Sequence, residues 1–232
     1  MQVVILAAGR GTRMNHLTEG TPKPMLKIGD KNLLEYKIER LPDSVTEIIF
    51  VIGYKGDQIR AHFGDSFLGR KIQYVVQEKL EGTGRALWEA KNLLQKKFMV
   101  MNGDDIYAKE DLEKCLLYDW ALLAKRRKSK NEQGARIVLN AEGKLKNIIE
   151  DSNQTTEDRK LNLINAGVYV LSRPFFEYKL VKLPGRSEWG LPQTVALLAK
   201  KFPVQIVETD FWIPVTSPAD LIITESILVS RK

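Results

Sequence analysis

Residues 1–14 read M-Q-V-V-I-L-A-A-G-R-G-T-R-M. The unbroken apolar run at residues 3–8 has the length of a buried strand and is far too short to cross a bilayer. It leads into Gly9, Arg10, Gly11, Thr12 and Arg13. A buried strand ending in a glycine-rich, basic turn gathers backbone N–H groups and cations at one point, a common way to cradle a phosphate. Glycine lets the main chain approach an anion closely, and arginine offers a planar charged fork. Met14 stands where a third glycine would complete G-x-G-x-x-G, and G-x-x-x-x-G-K-[ST] is absent, so neither the dinucleotide fingerprint nor the P-loop applies. On these residues alone, a strand followed by a merely flexible loop is the plain alternative.

The same alternation continues down the chain. Residues 32–41 carry Leu33, Leu34, Ile38 and Leu41 at helical spacing behind Asn32, a good N-cap. Residues 48–52 form a second apolar strand ending at Gly53, 57–63 a short helix, and 71–77 a third strand. After the Gly82, Thr83, Gly84 turn, residues 85–94 read as an amphipathic helix, with Thr83 as its N-cap. Residues 98–102 form another buried strand that delivers Gly103, Asp104 and Asp105. Residues 120–125, 136–139 and 144–150 are strand-like, and 173–180 read as a helix led by Pro174. Thr21 to Pro24 is a breaker cluster, in which Pro22 and Pro24 hold Lys23 on a stiff extended segment. Strands alternating with helices indicate βαβ units, helices on both faces, and a ligand at the carboxyl ends of the strands.

With 232 residues the chain makes one large domain or one and a half ordinary ones, and 44% hydrophobic with 28% charged residues is ordinary for a soluble protein. No signal-peptide pattern opens the sequence and no stretch could span a bilayer, so a cytoplasmic location and no membrane partner are expected. The single cysteine, Cys115, excludes an internal disulfide or cysteine-cluster metal site, and its helical setting reads as a buried inert thiol. The net charge of +7 suits an anionic partner. The basic run Lys125, Arg126, Arg127, Lys128, Ser129, Lys130 has no interleaved aromatics or flanking nucleic-acid motif, so it reads as a solvated loop and no nucleic-acid partner is expected. His16 and His62 belong to no catalytic constellation.

L-A-A-G-R-G-T-R-M at residues 6–14, followed by T-P-K-P-M-L at 21–26, resembles the signature of the sugar-1-phosphate nucleotidylyltransferases. Further matching pieces follow in the family's order along essentially the whole chain. The resemblance implies a Rossmann-like three-layer α/β/α sandwich with a mainly parallel mixed sheet. It also implies one domain over residues 1–232, with a nucleotide-binding half at about 1–107 and a sugar-binding half at about 108–232. Arg13 and Lys23 are then the catalytic cations at the nucleotide's phosphates. Leu6, Ala8, Gly9, Gly11 and Thr12 line the nucleotide, and Gln77 and Gly82 form the base pocket with Thr83 alongside. The G-T-G-x-A form at 82–86 is similar to the uridylyltransferase branch that makes UDP-N-acetylglucosamine, which favours UTP, with dTTP next. Asp104 is the implied Mg²⁺ ligand, and Asn102, Gly134, Glu150 and Asn165 face the sugar, Asn165 within an N-x-G-x-Y strand.

Two positions depart from the family pattern. Asp151 stands where a lysine is expected after Glu150, leaving Lys146 and Arg159 as candidate cations for the sugar phosphate. Pro214 stands where the closing motif W-x-D-[IV]-x-T-P-x-D-L has its second Mg²⁺ aspartate. Asp210 shares that strand face by parity but lies about 13 Å away in strand rise, and Asp220 is read as a cap of the last helix. No hexapeptide array is expected after the domain, and self-association into a homo-oligomer is left open. The implied reaction is an in-line attack of a sugar-1-phosphate oxygen on the α-phosphorus of a nucleoside triphosphate, releasing pyrophosphate. The rival reading is a non-catalytic, nucleotide-sugar-binding regulatory relative of the same fold.

Overall fold

The computed structural model describes residues 1–129, 132–150, 155 and 161–229. The opening strand Gln2–Ala7 lies in the middle of a ten-stranded sheet, flanked in parallel by Glu47–Ile52 and Lys97–Asn102. Arg70–Val76 continues the parallel set and the hairpin strand Ser66–Phe67 closes that edge. On the other side the long strand Leu163–Ser172 runs antiparallel to Lys97–Asn102 and also pairs with Ala121–Arg126, which pairs in parallel with Gln205–Thr209. The expected mixed, mainly parallel α/β architecture is what is observed.

Strand parity explains the layers, because alternate side chains of a strand point to opposite faces. Val4, Val51, Val100 and Leu122 share one core with Ala86 and Leu87 of helix Thr83–Glu89 and Leu191, Val195 and Leu198 of helix Leu191–Leu198. Val3, Ile5, Phe50, Met99 and Leu123 share the opposite core with Leu34 and Ile38 of helix Leu33–Glu39, Ile59 and Phe63 of helix Gly56–Phe63, and Leu112 and Cys115 of helix Lys109–Leu116. With apolar cover on both faces, the strands read as continuous hydrophobic runs. Among the described residues no helix is long and apolar enough to cross a membrane.

The long strand breaks its regularity where the site lies. Arg136–Leu139 pairs with it at Ile164 and Lys97–Asn102 pairs with it from Val168 onward, while Ala121–Arg126 follows the opposite edge on both sides of a register shift between Asn165 and Tyr169. Residues 165–167 therefore lie in a gap between two neighbours, next to the carboxyl end of Lys97–Asn102.

Several local expectations change. The helix expected at 85–94 starts at Thr83 and divides into Thr83–Glu89 and the 3-10 turn Lys91–Leu93. Thr83 is not its cap: Gly82 is, without a side-chain bond, and Thr83 Oγ1 accepts the N–H of Leu191 at 3.2 Å instead. The segment at 173–180 is only a 3-10 turn, Arg173–Glu177, which buries Phe175 and Phe176. The breaker cluster also holds a 3-10 turn, Lys23–Met25, since a single turn does not need the N–H that Pro24 lacks. Asp210 does not share a strand with Pro214, because it falls in the turn between Gln205–Thr209 and Trp212–Pro214. The start of the basic run is strand, not loop: Lys125 and Arg126 end Ala121–Arg126 and are ion-paired to Glu132 and Glu208 at 2.6 and 2.5 Å. Lys130, Asp151 and Arg159 lie outside the described residues. Asn32 does cap its helix, in a full capping box with Glu35. Asp220 likewise accepts the N–H groups of Thr216 and Ser217 at the start of Pro218–Val229.

Candidate active site

Three segments leave the parallel strands at their carboxyl ends and enclose one cavity of about 460 Å³. Residues 8–13 follow Gln2–Ala7, Gln77 follows Arg70–Val76, and Asn102 with Asp104 ends Lys97–Asn102. Leu80, Gly82 and Thr83 of the next loop, with Lys23 and Glu188, complete the wall. The cavity gathers Leu6, Ala8, Gly9, Gly11, Thr12, Arg13, Lys23, Gln77, Gly82, Thr83, Asn102 and Asp104, residues spread over a hundred positions of sequence.

The cation lysine is held from both sides. Gly11 has φ +65°, and a Cβ there would come within 2.6 Å of Lys23 Cβ, so only glycine allows the loop to close over this side chain. Lys23 is 5% exposed and its ammonium lies 2.5 Å from Asp104 Oδ2, whose side chain stays 30% exposed toward the cavity. Arg13, in the 3-10 turn Thr12–Met14, is exposed on the rim. On the opposite wall, buried Gln77 donates Nε2–H to the Gly82 carbonyl at 3.2 Å. Its Oε1 is thereby left as the acceptor that this side chain offers to a ligand.

Beneath Asp104 sits a buried polar group that the sequence reading did not pick out. Lys37 occupies the apolar stripe of helix Leu33–Glu39, and its Nζ donates to the Asp105 carbonyl while lying 4.5 Å from the centre of the Tyr107 ring. Burial pushes its pKa down to about 8, against the pull of Asp105 and Asp104. The Asp105 carboxyl is pushed up to about 6, first by burial and then by neighbouring Asp104. Tyr107 is raised well above its ordinary value, by burial and then by Asp105. The signal was present, since Lys37 stands three residues after Leu34 and four before Leu41. Glu188 was not expected as a site residue, although residues 188–194 resemble the family's E-x-x-L-P-x-T entry to helix Leu191–Leu198, and it lies on the cavity wall.

Gly134, Glu150 and Asn165 are not on the cavity wall. Gly134 packs on Ile164, and Glu150 accepts from Gln193 Nε2 at 2.8 Å. Asn165 closes the irregular turn in the long strand, donating to Tyr169 Oη at 2.7 Å and accepting Gly167 N–H at 2.9 Å. Lys146 is exposed on Leu145–Ile149. Pro214 lies directly opposite Asp105 in the antiparallel pair Trp212–Pro214 with Asp105–Tyr107, so a ring stands where the sequence resemblance implied a second acid. Among the described residues no group of three or more His, Cys, Asp or Glu could hold a metal unaided.

Residues 2–222 match the model of the nucleotidyl transferase family. This chain belongs to that family. It is 34% identical over its whole length to the bifunctional protein GlmU of Methanocaldococcus jannaschii, of which it spans 55%, so it covers about half the length of that relative. It is 32% identical to the D-glycero-alpha-D-manno-heptose 1-phosphate guanylyltransferase of Campylobacter jejuni, over 76% of this chain and 78% of that protein. It is 29% identical to the UTP–glucose-1-phosphate uridylyltransferase AglF of Haloferax volcanii, over 91% and 89%. The crystal structure of HddC from Yersinia pseudotuberculosis superposes with a TM-score of 0.75 at 25% identity, covering 98% of this chain and 99% of that one. The resemblance read from the sequence is thus borne out at the level of sugar-1-phosphate nucleotidylyltransferases.

Proposed function

We propose that this protein transfers a nucleotidyl group from a nucleoside triphosphate to a sugar-1-phosphate and releases pyrophosphate. The observation that carries this reading is the convergence of the glycine-rich loop, Arg13, Lys23 and Asp104 on one cavity, facing the buried amide of Gln77. Arg13 and Lys23 are the cations for the triphosphate, and the loop from Gly9 to Thr12 supplies close main-chain approach. The attacking sugar phosphate is already ionised at neutral pH, so no general base is required, in keeping with the absence of histidine from the cavity wall. Positioning and charge stabilisation carry the step.

The donor set fits Mg²⁺, which takes one or two carboxylates and completes its shell with phosphate oxygens and water. Asp104 is the carboxylate that would hold it, and the ion would supply charge stabilisation of the transferred phosphorus. Lys23 must then share or leave Asp104, and the phosphates give its ammonium a new partner. Gln77 Oε1 accepts from a ring N–H, which uracil and thymine present at N3, so UTP comes first and dTTP next. Guanine presents the same kind of donor at N1, and one relative is named a guanylyltransferase, so GTP belongs in any test.

Pyrophosphate release measured with Mg²⁺ across nucleoside triphosphates and a panel of sugar-1-phosphates tests the reading. Release that requires both substrates is the expected result and names base and sugar together. Nucleotide-sugar binding without release would instead identify a non-catalytic relative whose site is altered at Pro214.

A further inference from the structure

We propose that buried Asp105 and Tyr107 are positioning residues for the Asn102 amide, fixing it so that the cavity is offered an oxygen acceptor for a sugar hydroxyl. The proposal rests on the nucleotidylyltransferase reading above. Its basis is a chain of polar contacts where apolar side chains would have been cheaper to bury. Lys37 Nζ holds the Asp105 carbonyl, and the Asp105 carboxylate is 3.0 Å from Tyr107 Oη. Tyr107 Oη in turn lies 2.9 Å from the carbonyl of Ala166, in the gap of the long strand. Asp105 is 5% and Tyr107 1% exposed, so neither reaches a ligand directly.

Asn102 is where this chain meets the cavity. Its Nδ2 lies 3.5 Å from Asp105 Oδ2 and packs against the backbone of Gly167, whose φ is +77° and where any Cβ would collide with that amide. The Asp105 carboxyl oxygen nearest the amide accepts from Nδ2, and this contact turns NH₂ inward. Oδ1 is then the pole directed at a ligand. An acceptor there suits a hydroxyl, which can donate, and disfavours a phosphate oxygen, which cannot. Tyr107 adds the second constraint, since its single hydroxyl proton lies between the Asp105 carboxyl and the Ala166 carbonyl and holds the ring between the strand end and the bulge.

The test is calorimetric binding of UDP-glucose, UDP-N-acetylglucosamine and GDP-mannose, with UTP and GTP as sugar-free controls. Asp105→Asn and Tyr107→Phe should each weaken binding of the accepted nucleotide sugar about tenfold, the size of one hydrogen bond, while triphosphate affinity stays within about twofold. In an Asn102→Ala background, Asp105→Asn should add no further loss, since the group it positions is gone. Equal weakening of both ligand classes, or full additivity with Asn102→Ala, overturns the proposal and leaves Asp105 and Tyr107 as packing residues. Tyr107→Phe keeps the buried ring, so it reads the effect if Asp105→Asn folds poorly. A wild type that binds UTP or GTP but no nucleotide sugar sinks the functional reading and this proposal together.

Discussion

Replacing Lys37 by methionine should cost stability in a pH-dependent way. The side chain is 1% exposed, and its ammonium holds a carbonyl that has no water to fall back on. Methionine fills nearly the same volume, so the loss is electrostatic: the Asp105 carbonyl loses its donor and the buried carboxylate loses its nearest cation. Breaking one half of a buried ionic arrangement costs about 3–5 kcal/mol, which for a chain of this size lowers the melting temperature by roughly 10 °C.

The pH sign follows from Asp105. Its folded pKa, about 6, is raised above the ordinary 3.8, so its contribution is fully present below about pH 4 and is lost as pH rises through 6. At pH 5 the carboxyl is largely protonated and needs no cation, so the penalty of Lys37→Met should shrink there and be largest near pH 7. Lys37 works in the other direction: its pKa of about 8 lies below 10.5, so its stabilising contribution is present above 10.5 and lost as pH falls through 8. A charged Lys37 is therefore a net burden once Asp105 is neutral. Urea unfolding of wild type, Lys37→Met and Lys37→Met/Asp105→Asn at pH 5 and pH 7 measures all of this, with the double variant recovering most of the loss. A single variant as stable as wild type at pH 7, or an equal penalty at both pH values, would refute the electrostatic account.

Asp104→Ala and Lys23→Ala should each lower turnover by ~10²–10³ with an unchanged circular dichroism spectrum; near-normal turnover in both would remove them from the catalytic machinery. Cys115 is 1% exposed and burial pushes its thiol up to about 12, so a thiol reagent at pH 8 should label it only after denaturant is added. Asp220→Ala should cost about 1–2 kcal/mol, because one carboxylate oxygen accepts from Thr216 and Ser217 backbone and side chains at 2.7–3.0 Å. Its pKa is lowered by those bonds, opposed by burial, so the wild-type advantage is present above the ordinary value of 3.8 and should fade as pH falls through the lower folded value, visible in acid unfolding curves of the two proteins.

The order of elements was legible because buried parallel strands leave unbroken apolar runs, as at residues 3–8, 48–52 and 98–102. The cavity-lining residues of the first loop and Lys23 were legible too, since glycine spacing and the proline-flanked Lys23 are local features that depend on no distant partner. By itself the sequence determined the α/β layering and the cluster of chemistry at the strands' carboxyl ends. Short strands such as Trp212–Pro214 left no periodic signature, being stabilised by the partner Asp105–Tyr107 across a hundred residues. The roles of Lys37, Asp105 and Asn165 depend on where each side chain's polar atoms find partners, and those partners come from other strands. Only the tertiary structure decided that Asp105 turns inward and that Asn165 is spent on its own bulge, while Asn102 stays on the cavity wall with Gln77. Hydrogen-bond satisfaction of a buried group is a property of the packed neighbourhood, and no local stretch of sequence encodes it.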